Sequence, residues 1–407
     1  MGKKTLILIV ILVLVTAGVA SGTMLTPKEE LGKLIFFDKH LSINKNQACA
    51  ACHAPEVGWT GPDSAINATG GVYEGSVPGR FGNRKPPASA YAGASPILYY
   101  DQTKKIWVGG MFWDGRATGW TLGDPLAEQA MGPFLNPMEQ ALPSAVDVVE
   151  RVCASYYSFL FKLVWGKDAC RGNVELDYER IARSIAAYER SKEVTAFTSK
   201  YDRYLKGRAQ LTAQEAEGLG LFEGKGKCAN CHVSKLGLKG ELPLFTDFTY
   251  DNLGIPKNPL NPYYYEPQWG GGPAWIDEGL GGFLRSIKNP KINYSTELGK
   301  FKVPTLRNVD LRMRPNAMVA GEPVKAYGHN GYFKSLKEIV HFYNTRDTLP
   351  TCAQGSPNEK ITCWPEPELN LNKNATEVGN LGLTDAEEDA IVAFLKTLND
   401  GFMPWIH

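Results

Sequence analysis

The pattern of hydrophobic and polar positions predicts several helices, and three of them begin with the same polar signature. A threonine followed three positions later by a glutamate forms a capping box, in which each side chain bonds the backbone N–H of the other residue. The pairs are Thr26 with Glu29, Thr212 with Glu215 and Thr384 with Glu387. After the third pair, apolar residues at 391, 394 and 395 follow helical spacing, and residues 181–188 show similar spacing in the first half of the chain.

The first two capping boxes open an internal repeat. In both copies a glycine stands six positions after the threonine and a phenylalanine ten positions after it. These residues are Gly32, Phe36, Gly218 and Phe222. The repeat predicts two similar units in tandem, and we expect their boundary near Lys206, with the units spanning residues 21–206 and 207–407.

Three stretches rich in glycine and proline predict irregular loops at residues 60–96, 243–282 and 346–380. No region of the sequence is rich in predicted strands. The sequence therefore predicts a mainly α protein with long irregular loops.

The N-terminus has the pattern of an export signal over residues 1–20. Lys3 and Lys4 precede an apolar run at residues 5–15, and small residues lead to a cleavage site near Ala20. An uncleaved anchor is the alternative, but the run is shorter than the roughly 20 residues of a spanning helix. We expect a periplasmic or cell-surface protein with no membrane span in the mature chain.

The net charge and the cysteines indicate which partners and which cellular compartment to expect. The formal net charge is +1 and no basic run stands out, so nothing indicates a nucleic-acid partner. Of eight cysteines, four remain outside the paired motifs described next, and in an oxidising compartment we expect them to form disulfides. They are Cys153, Cys170, Cys352 and Cys363. Three pairings are possible, and we favour the two short loops.

One five-residue pattern occurs twice, as Cys-Ala-Ala-Cys-His at residues 49–53 and Cys-Ala-Asn-Cys-His at residues 228–232. Two cysteines with this spacing can form thioethers to one porphyrin, and the adjacent imidazole then lies beneath the iron. A zinc ribbon is the alternative, but its second cysteine pair normally follows within about 20 residues. The residues predicted to hold two covalent haems are Cys49, Cys52, His53, Cys228, Cys231 and His232. The sequence thus predicts that each tandem unit is a cytochrome c-like domain with one haem c.

Several further motifs resemble the bacterial dihaem cytochrome c peroxidases and the related MauG enzymes. They are Leu-Ile-Phe-Phe-Asp at 34–38, Phe-Trp-Asp-Gly-Arg-Ala at 112–117, Val-Pro-Thr-Leu-Arg-Asn-Val at 303–309 and His-Asn-Gly at 329–331. The resemblance runs from about residue 25 to the C-terminus, and the motifs keep the family's order. It implies that the first haem is peroxidatic and that the second passes electrons to it.

The resemblance also implies roles for residues of the first half. Trp113 corresponds to the tryptophan between the haems and is our candidate electron relay. Gln129, Gly132, Pro133 and Glu139 match the distal pocket over the first haem. Glu139 is the candidate acid–base residue for the peroxide proton, and Gln129 is expected to help position peroxide.

The histidines and one tyrosine depart from the peroxidase pattern. Residues 60–96 contain no histidine, so we expect the first haem to be five-coordinate or water-bound, as in MauG-type enzymes. Tyr343 stands where many peroxidases place a methionine ligand to the second haem, and MauG also uses a tyrosine there. His341 is the rival ligand. His329 is expected to support the second haem. His40 and His407 are expected at the surface.

The family also holds a calcium ion between the haems, with an asparagine, a threonine and a backbone carbonyl as ligands. Here the asparagine region reads Asn83-Arg84-Lys85, and Arg312 stands where the threonine is expected. The sequence departs from the family at this site, which leaves a single calcium cofactor as an open expectation.

Three functions are compatible with these features. The first is reduction of hydrogen peroxide with electrons from a small cytochrome c or cupredoxin. The second is a MauG-like oxidase that takes electrons from a protein side chain. The third is a non-enzymatic dihaem electron carrier, which would not need the distal Gln129 and Glu139. The sequence leaves the oligomeric state open, with a homodimer as one option.

Overall fold

The computed structural model describes residues 24–312 and 323–403. The predicted export signal and His407 lie outside the described residues. The helices are α1 (Pro27–Phe36), α2 (Ser64–Ala68), α3 (Pro125–Leu135), α4 (Ala145–Ala154), α5 (Ser158–Trp165), α6 (Val174–Glu189), α7 (Lys200–Leu205), α8 (Ala213–Glu223), α9 (Gly279–Ser286), α10 (Leu336–Thr345) and α11 (Asp385–Lys396). Among the described residues, none of these helices has the length and apolar character needed to cross a membrane.

Strands are few and short. β1 (Tyr99–Asp101) pairs antiparallel with β2 (Ile106–Val108), and β3 (Tyr250–Asp251) pairs antiparallel with β4 (Phe301–Lys302). The three predicted loop regions are mostly irregular, although residues 60–96 contain the short helix α2. The mainly α prediction is confirmed.

All three predicted capping boxes form, at the starts of α1, α8 and α11. In α1 the Glu29 backbone N–H donates to Thr26 Oγ1 at 3.3 Å, and the Thr26 N–H donates to Glu29 Oε2 at 2.7 Å. Each box satisfies two backbone donors that have no partner within the helix. A fourth box, Ser199 with Asp202, opens α7 and was not predicted.

The repeated glycines explain how the repeat packs. α1 lies along α6, and α8 lies along α11. A Cβ atom on Gly32 would lie 1.9 Å from the carbonyl oxygen of Ser184, and one on Gly218 would lie 1.9 Å from that of Ala390. Both helix pairs therefore need glycine at the crossing, because any side chain would overlap the partner's backbone.

The hydrophobic residues form two main cores. The first includes Phe36 and Tyr188, and the second includes Phe222 and Phe394. Tyr201 of α7 belongs to the second core although it precedes residue 206. The exact boundary between the units therefore stays a prediction.

The segment at residues 303–309 ties the two cores together. Arg307 is fully buried and makes two bonds to the Asp202 carboxylate, at 2.8 and 2.9 Å. Asp400 accepts from the Tyr91 hydroxyl at 2.6 Å and from Asn308 Nδ2 at 3.0 Å. Buried pairs of this kind fix one arrangement, because losing either partner leaves a charge without compensation.

The four remaining cysteines pair as the two short loops. The disulfides are Cys153–Cys170 and Cys352–Cys363. Of the three possible pairings, the favoured one is confirmed.

Candidate haem sites

The first cysteine motif is built as a single 3₁₀ turn, Cys49–Ala51. The backbone N–H groups of Cys52 and His53 both donate to the carbonyl of Cys49, at 3.1 and 3.0 Å. This turn brings both sulfurs and the imidazole to one cavity of about 520 Å³. Neither cysteine is in a disulfide, so both thiols are available for thioether bonds.

The hydrogen bond of His53 suits iron ligation. Its Nδ1 atom lies 3.3 Å from the carbonyl oxygen of Trp59. A carbonyl only accepts, so Nδ1 carries the hydrogen and Nε2 keeps a free lone pair. Burial lowers the pKa of His53 to about 4, which keeps the ring neutral.

The second motif repeats this arrangement. Cys228–Asn230 forms the 3₁₀ turn, and Cys228, Cys231 and His232 line a second cavity of about 200 Å³. His232 Nδ1 donates to the carbonyl of Phe245 at 2.8 Å, and burial lowers the pKa of His232. Both sites thus offer two unpaired thiols and a neutral imidazole, which is the donor set of haem c.

The first cavity has polar groups contributed by α3 and the turn after it. Gln129, Pro133 and Glu139 line the cavity, whereas Gly132 is not among its lining residues. A Cβ on Gly132 would lie 3.3 Å from the ring of Phe112, so this glycine makes room for the ring.

Two short hydrogen bonds position Glu139. Its Oε1 accepts from Asn136 Nδ2 at 2.8 Å, and its carbonyl accepts from the Ser76 N–H at 2.6 Å. Burial raises the pKa of Glu139, while the charge of Arg116 and the Asn136 bond oppose the shift. A carboxyl group in this setting holds its proton to higher pH than one in water.

A second carboxyl group, that of Glu189, was missed from the sequence. It is the last residue of α6, is 3% exposed and lines the first cavity. Its Oε2 has no hydrogen-bond partner among the described residues, and burial raises its pKa to about 8. Its position in the sequence could have indicated burial. Glu189 continues the apolar stripe of Ile181 and Ile185 at a spacing of four residues.

Trp113 lines both cavities and is 9% exposed. Its indole Nε1–H donates to the carbonyl of Lys85 at 2.8 Å, and its own carbonyl accepts from the Lys302 N–H at 2.8 Å. The neighbouring Asp114 accepts from Arg84 at 2.6 Å and from Arg116 at 2.9 Å. These bonds fix the indole in the wall that separates the two cavities.

Tyr343 of α10 lines the second cavity together with His232, and burial raises its pKa. His341 is not among the lining residues. Its Nδ1 lies 2.9 Å from Glu388 Oε1 and its Nε2 lies 3.2 Å from the carbonyl of Ile361. Both ring nitrogens of His341 therefore have partners away from the cavity.

Two further histidines, His329 and His40, lie in different settings. His329 lines the second cavity and stacks on Phe301 with ring centroids 3.6 Å apart. His40 lies at the surface, as predicted, with its side chain 75% exposed and bonded to Asp38.

Arg312, which stands where the family has a threonine, is engaged by other groups. Arg312 bonds Asp310 at 3.0 Å and the carbonyl of Pro323 at 2.8 Å. Among the described residues, the only group of three His, Cys, Asp or Glu side chains spaced to hold an ion is Cys231, Asp251 and Glu377. It includes a predicted haem thiol, so this group does not indicate a separate calcium site.

Comparison with known proteins identifies the family of the chain. Residues 26–210 match the family model CCP_MauG, described as di-haem cytochrome c peroxidase. Methylamine utilization protein MauG of Paracoccus denitrificans (strain Pd 1222) is 34% identical over 91% of this chain and 88% of that protein. Cytochrome c551 peroxidase of Nitrosomonas europaea is 30% identical over 91% of this chain and 79% of that protein.

A solved structure shows the same architecture. The diheme peroxidase BthA from Burkholderia thailandensis E264 matches with a TM-score of 0.74 and 30% identity, covering 95% of this chain and 90% of that one. The chain therefore belongs to the di-haem cytochrome c peroxidase and MauG family, whose members are redox enzymes with two c-type haems.

Proposed function

We propose that this protein reduces hydrogen peroxide at the haem held by His53, using electrons that enter through the haem held by His232 and pass Trp113. The observation that carries this proposal is the difference between the two cavities. Gln129 and Glu139 line only the first, and Trp113 lines both.

The chain's own residues supply the proton chemistry. A bound haem supplies the redox chemistry for splitting the O–O bond. Glu139 takes the proton from one peroxide oxygen and returns it to the other, and Gln129 orients the peroxide by hydrogen bonding. Burial raises the pKa of Glu139 toward the operating pH, where acid–base catalysis is most efficient.

The second candidate is a MauG-like oxidase that withdraws electrons from a protein side chain. Two observations favour it: Tyr343 lines the second cavity, and the chain is 34% identical to a MauG protein. A phenolate ligand would stabilise oxidised iron more than a thioether does. Oxidising equivalents could then be held until a protein substrate supplies electrons.

We further propose export to the periplasm and a small cytochrome c or cupredoxin as electron donor. The disulfides Cys153–Cys170 and Cys352–Cys363 support export, because such bonds persist in oxidising compartments.

The deciding experiment is steady-state turnover of the purified dihaem protein with peroxide and a reduced donor. We expect rapid, peroxide-dependent oxidation of a small cytochrome c or cupredoxin. Trp113→Phe should slow that oxidation while haem content and peroxide binding stay unchanged, because the ring fills the space without the indole. If no donor is oxidised catalytically and peroxide instead drives oxidation of an added protein, the oxidase function replaces this proposal.

A further inference from the structure

The wall between the two haem cavities contains three lysine ammonium groups that have no carboxylate partner. Lys85 lines both cavities, and Lys302 and Lys325 line the second. None of the three ammonium groups forms an ion pair with a carboxylate among residues 24–312 and 323–403. Lysines in such positions are normally paired with an acidic group, because an isolated buried charge is costly.

Lys325 is held by a cage of backbone carbonyls. Its Nζ lies 2.9 Å from the carbonyl oxygen of Val57, 2.8 Å from that of Asn308 and 3.0 Å from that of Leu311. Carbonyl oxygens only accept, so three such contacts use three N–H donors. A neutral amine has only two N–H bonds, so the three acceptors match the ammonium ion and favour the charged form. They oppose the effect of burial, which lowers the pKa of Lys325.

Lys85 and Lys302 are bound in a similar way. Lys85 Nζ donates to Thr60 Oγ1 and to the carbonyl of Pro86, both at 3.0 Å. Lys302 Nζ contacts Ser95 Oγ and the carbonyl of Gly110. The ligands of all three are neutral: they are carbonyl and hydroxyl oxygens and, for Lys302 alone, also the Met111 sulfur at 3.8 Å.

Such oxygens are also the ligands that a hard divalent cation prefers. In this protein they surround lysine nitrogens, and Arg312 is bonded to Asp310 and Pro323 rather than to the Asn83 region. We infer that Lys85 and Lys325 provide the positive charge between the haems in place of a calcium ion, so that the protein assembles and works without calcium. This inference does not depend on which substrate the protein oxidises.

The replacement has an electrostatic reason. Each haem would bring propionate carboxylates, and carboxylates that are withdrawn from water need nearby cations. An ammonium group tethered to the chain cannot be removed by a chelator. Lys85 also contacts Trp113, because its backbone carbonyl accepts the indole N–H at 2.8 Å. The charged residue and the indole ring are therefore held next to each other.

The first test uses the unmodified dihaem protein. We expect metal analysis after desalting to find no stoichiometric calcium. Absorption spectra, electron paramagnetic resonance spectra and both haem potentials should stay unchanged after treatment with the chelator EGTA and after addition of calcium. One calcium per chain that EGTA removes together with a spectral change would overturn the inference, and this result requires no variant to fold.

The second test removes the charges. Lys325→Met and Lys85→Met remove the amino group and keep an unbranched side chain one atom shorter, and Lys85→Met also keeps the carbonyl that binds Trp113. Each should shift at least one haem potential to a more negative value, because loss of a nearby cation favours ferric iron. Lys239→Met, at an exposed position, is the matched control. Unchanged potentials in both Lys85→Met and Lys325→Met would show that these lysines do not provide the charge.

Discussion

Replacement of Glu139 by glutamine isolates the proton-transfer step of the proposed mechanism. Glutamine keeps the side-chain shape and an oxygen that can accept the 2.8 Å bond from Asn136 Nδ2. The contribution of that bond, about 1 kcal/mol, is therefore retained. What is lost is the ability to take up and release a proton.

Because only proton transfer is lost, the expected loss of rate is the contribution of that step. Proton transfer by a positioned side chain is typically worth about 10²–10⁴-fold in rate, or roughly 3–5 kcal/mol in activation free energy. We expect Glu139→Gln to lower peroxide turnover by at least about tenfold. Glu139→Asp should be milder, because it keeps the carboxyl group.

The assay is stopped-flow mixing of the oxidised dihaem protein with peroxide, followed by steady-state turnover. Spectra before mixing should be unchanged in Glu139→Gln, which would separate a rate effect from a structural one. Glu150→Gln is the control, because Glu150 is exposed on α4 of the same unit. Glu189→Gln tests the other carboxyl group of the cavity. Full activity in Glu139→Gln together with a large loss in Glu189→Gln would refute the assignment and move the proton role to Glu189.

Three further predictions concern the haem sites. Tyr343→Phe should change the spectrum of the second haem and leave that of the first unchanged; identical spectra would exclude Tyr343 as a ligand. The pKa of Glu189 is raised from 4.5 to about 8 in the folded protein, so this group favours folding below pH 4.5, and that contribution is lost as pH rises through about 8. Glu189→Gln should therefore be more stable than the wild type near pH 9, by at most about 5 kcal/mol, and similar near pH 5, as measured by denaturation midpoints. Replacing Cys228 and Cys231 by alanine should remove about half of the haem stain on denaturing gels; full stain would contradict covalent attachment there.

The parts of the fold that sequence predicted well are those set by local chemistry. The capping boxes depend on residues three positions apart, and the attachment motifs on residues within one turn, so both can be identified without tertiary information. The repeat marked Gly32 and Gly218 as equivalent. Why these positions need glycine became clear only from the packed helix pairs, in which each glycine contacts the backbone of its partner helix at Ser184 or Ala390.

The parts that sequence did not predict depend on distant contacts. Lys325 meets the carbonyl of Val57, 268 positions away, and no local pattern indicates that pairing. Glu189 resembles a solvated residue at the end of a helix until α6 is placed against the first cavity. Arg312 marked a departure from the family pattern at the calcium site. It did not indicate Lys325, the lysine that contacts three carbonyl oxygens.

The two halves show how one repeated unit supports two different sites. The attachment turn, the carbonyl-bound histidine and the crossing glycine are the same in both halves, so the attachment side of each haem is built alike. The difference comes from the segment that lines the remaining part of each cavity. In the first half α3 and its following turn contribute Gln129 and Glu139, whereas in the second half α10 contributes Tyr343. In the proposed mechanism the amide and carboxyl groups of the first cavity bind peroxide and move its proton, and the second cavity is not lined by the corresponding pair. Electrons entering at the second site would therefore have to reach the first, and Trp113 is the aromatic side chain that lines both cavities.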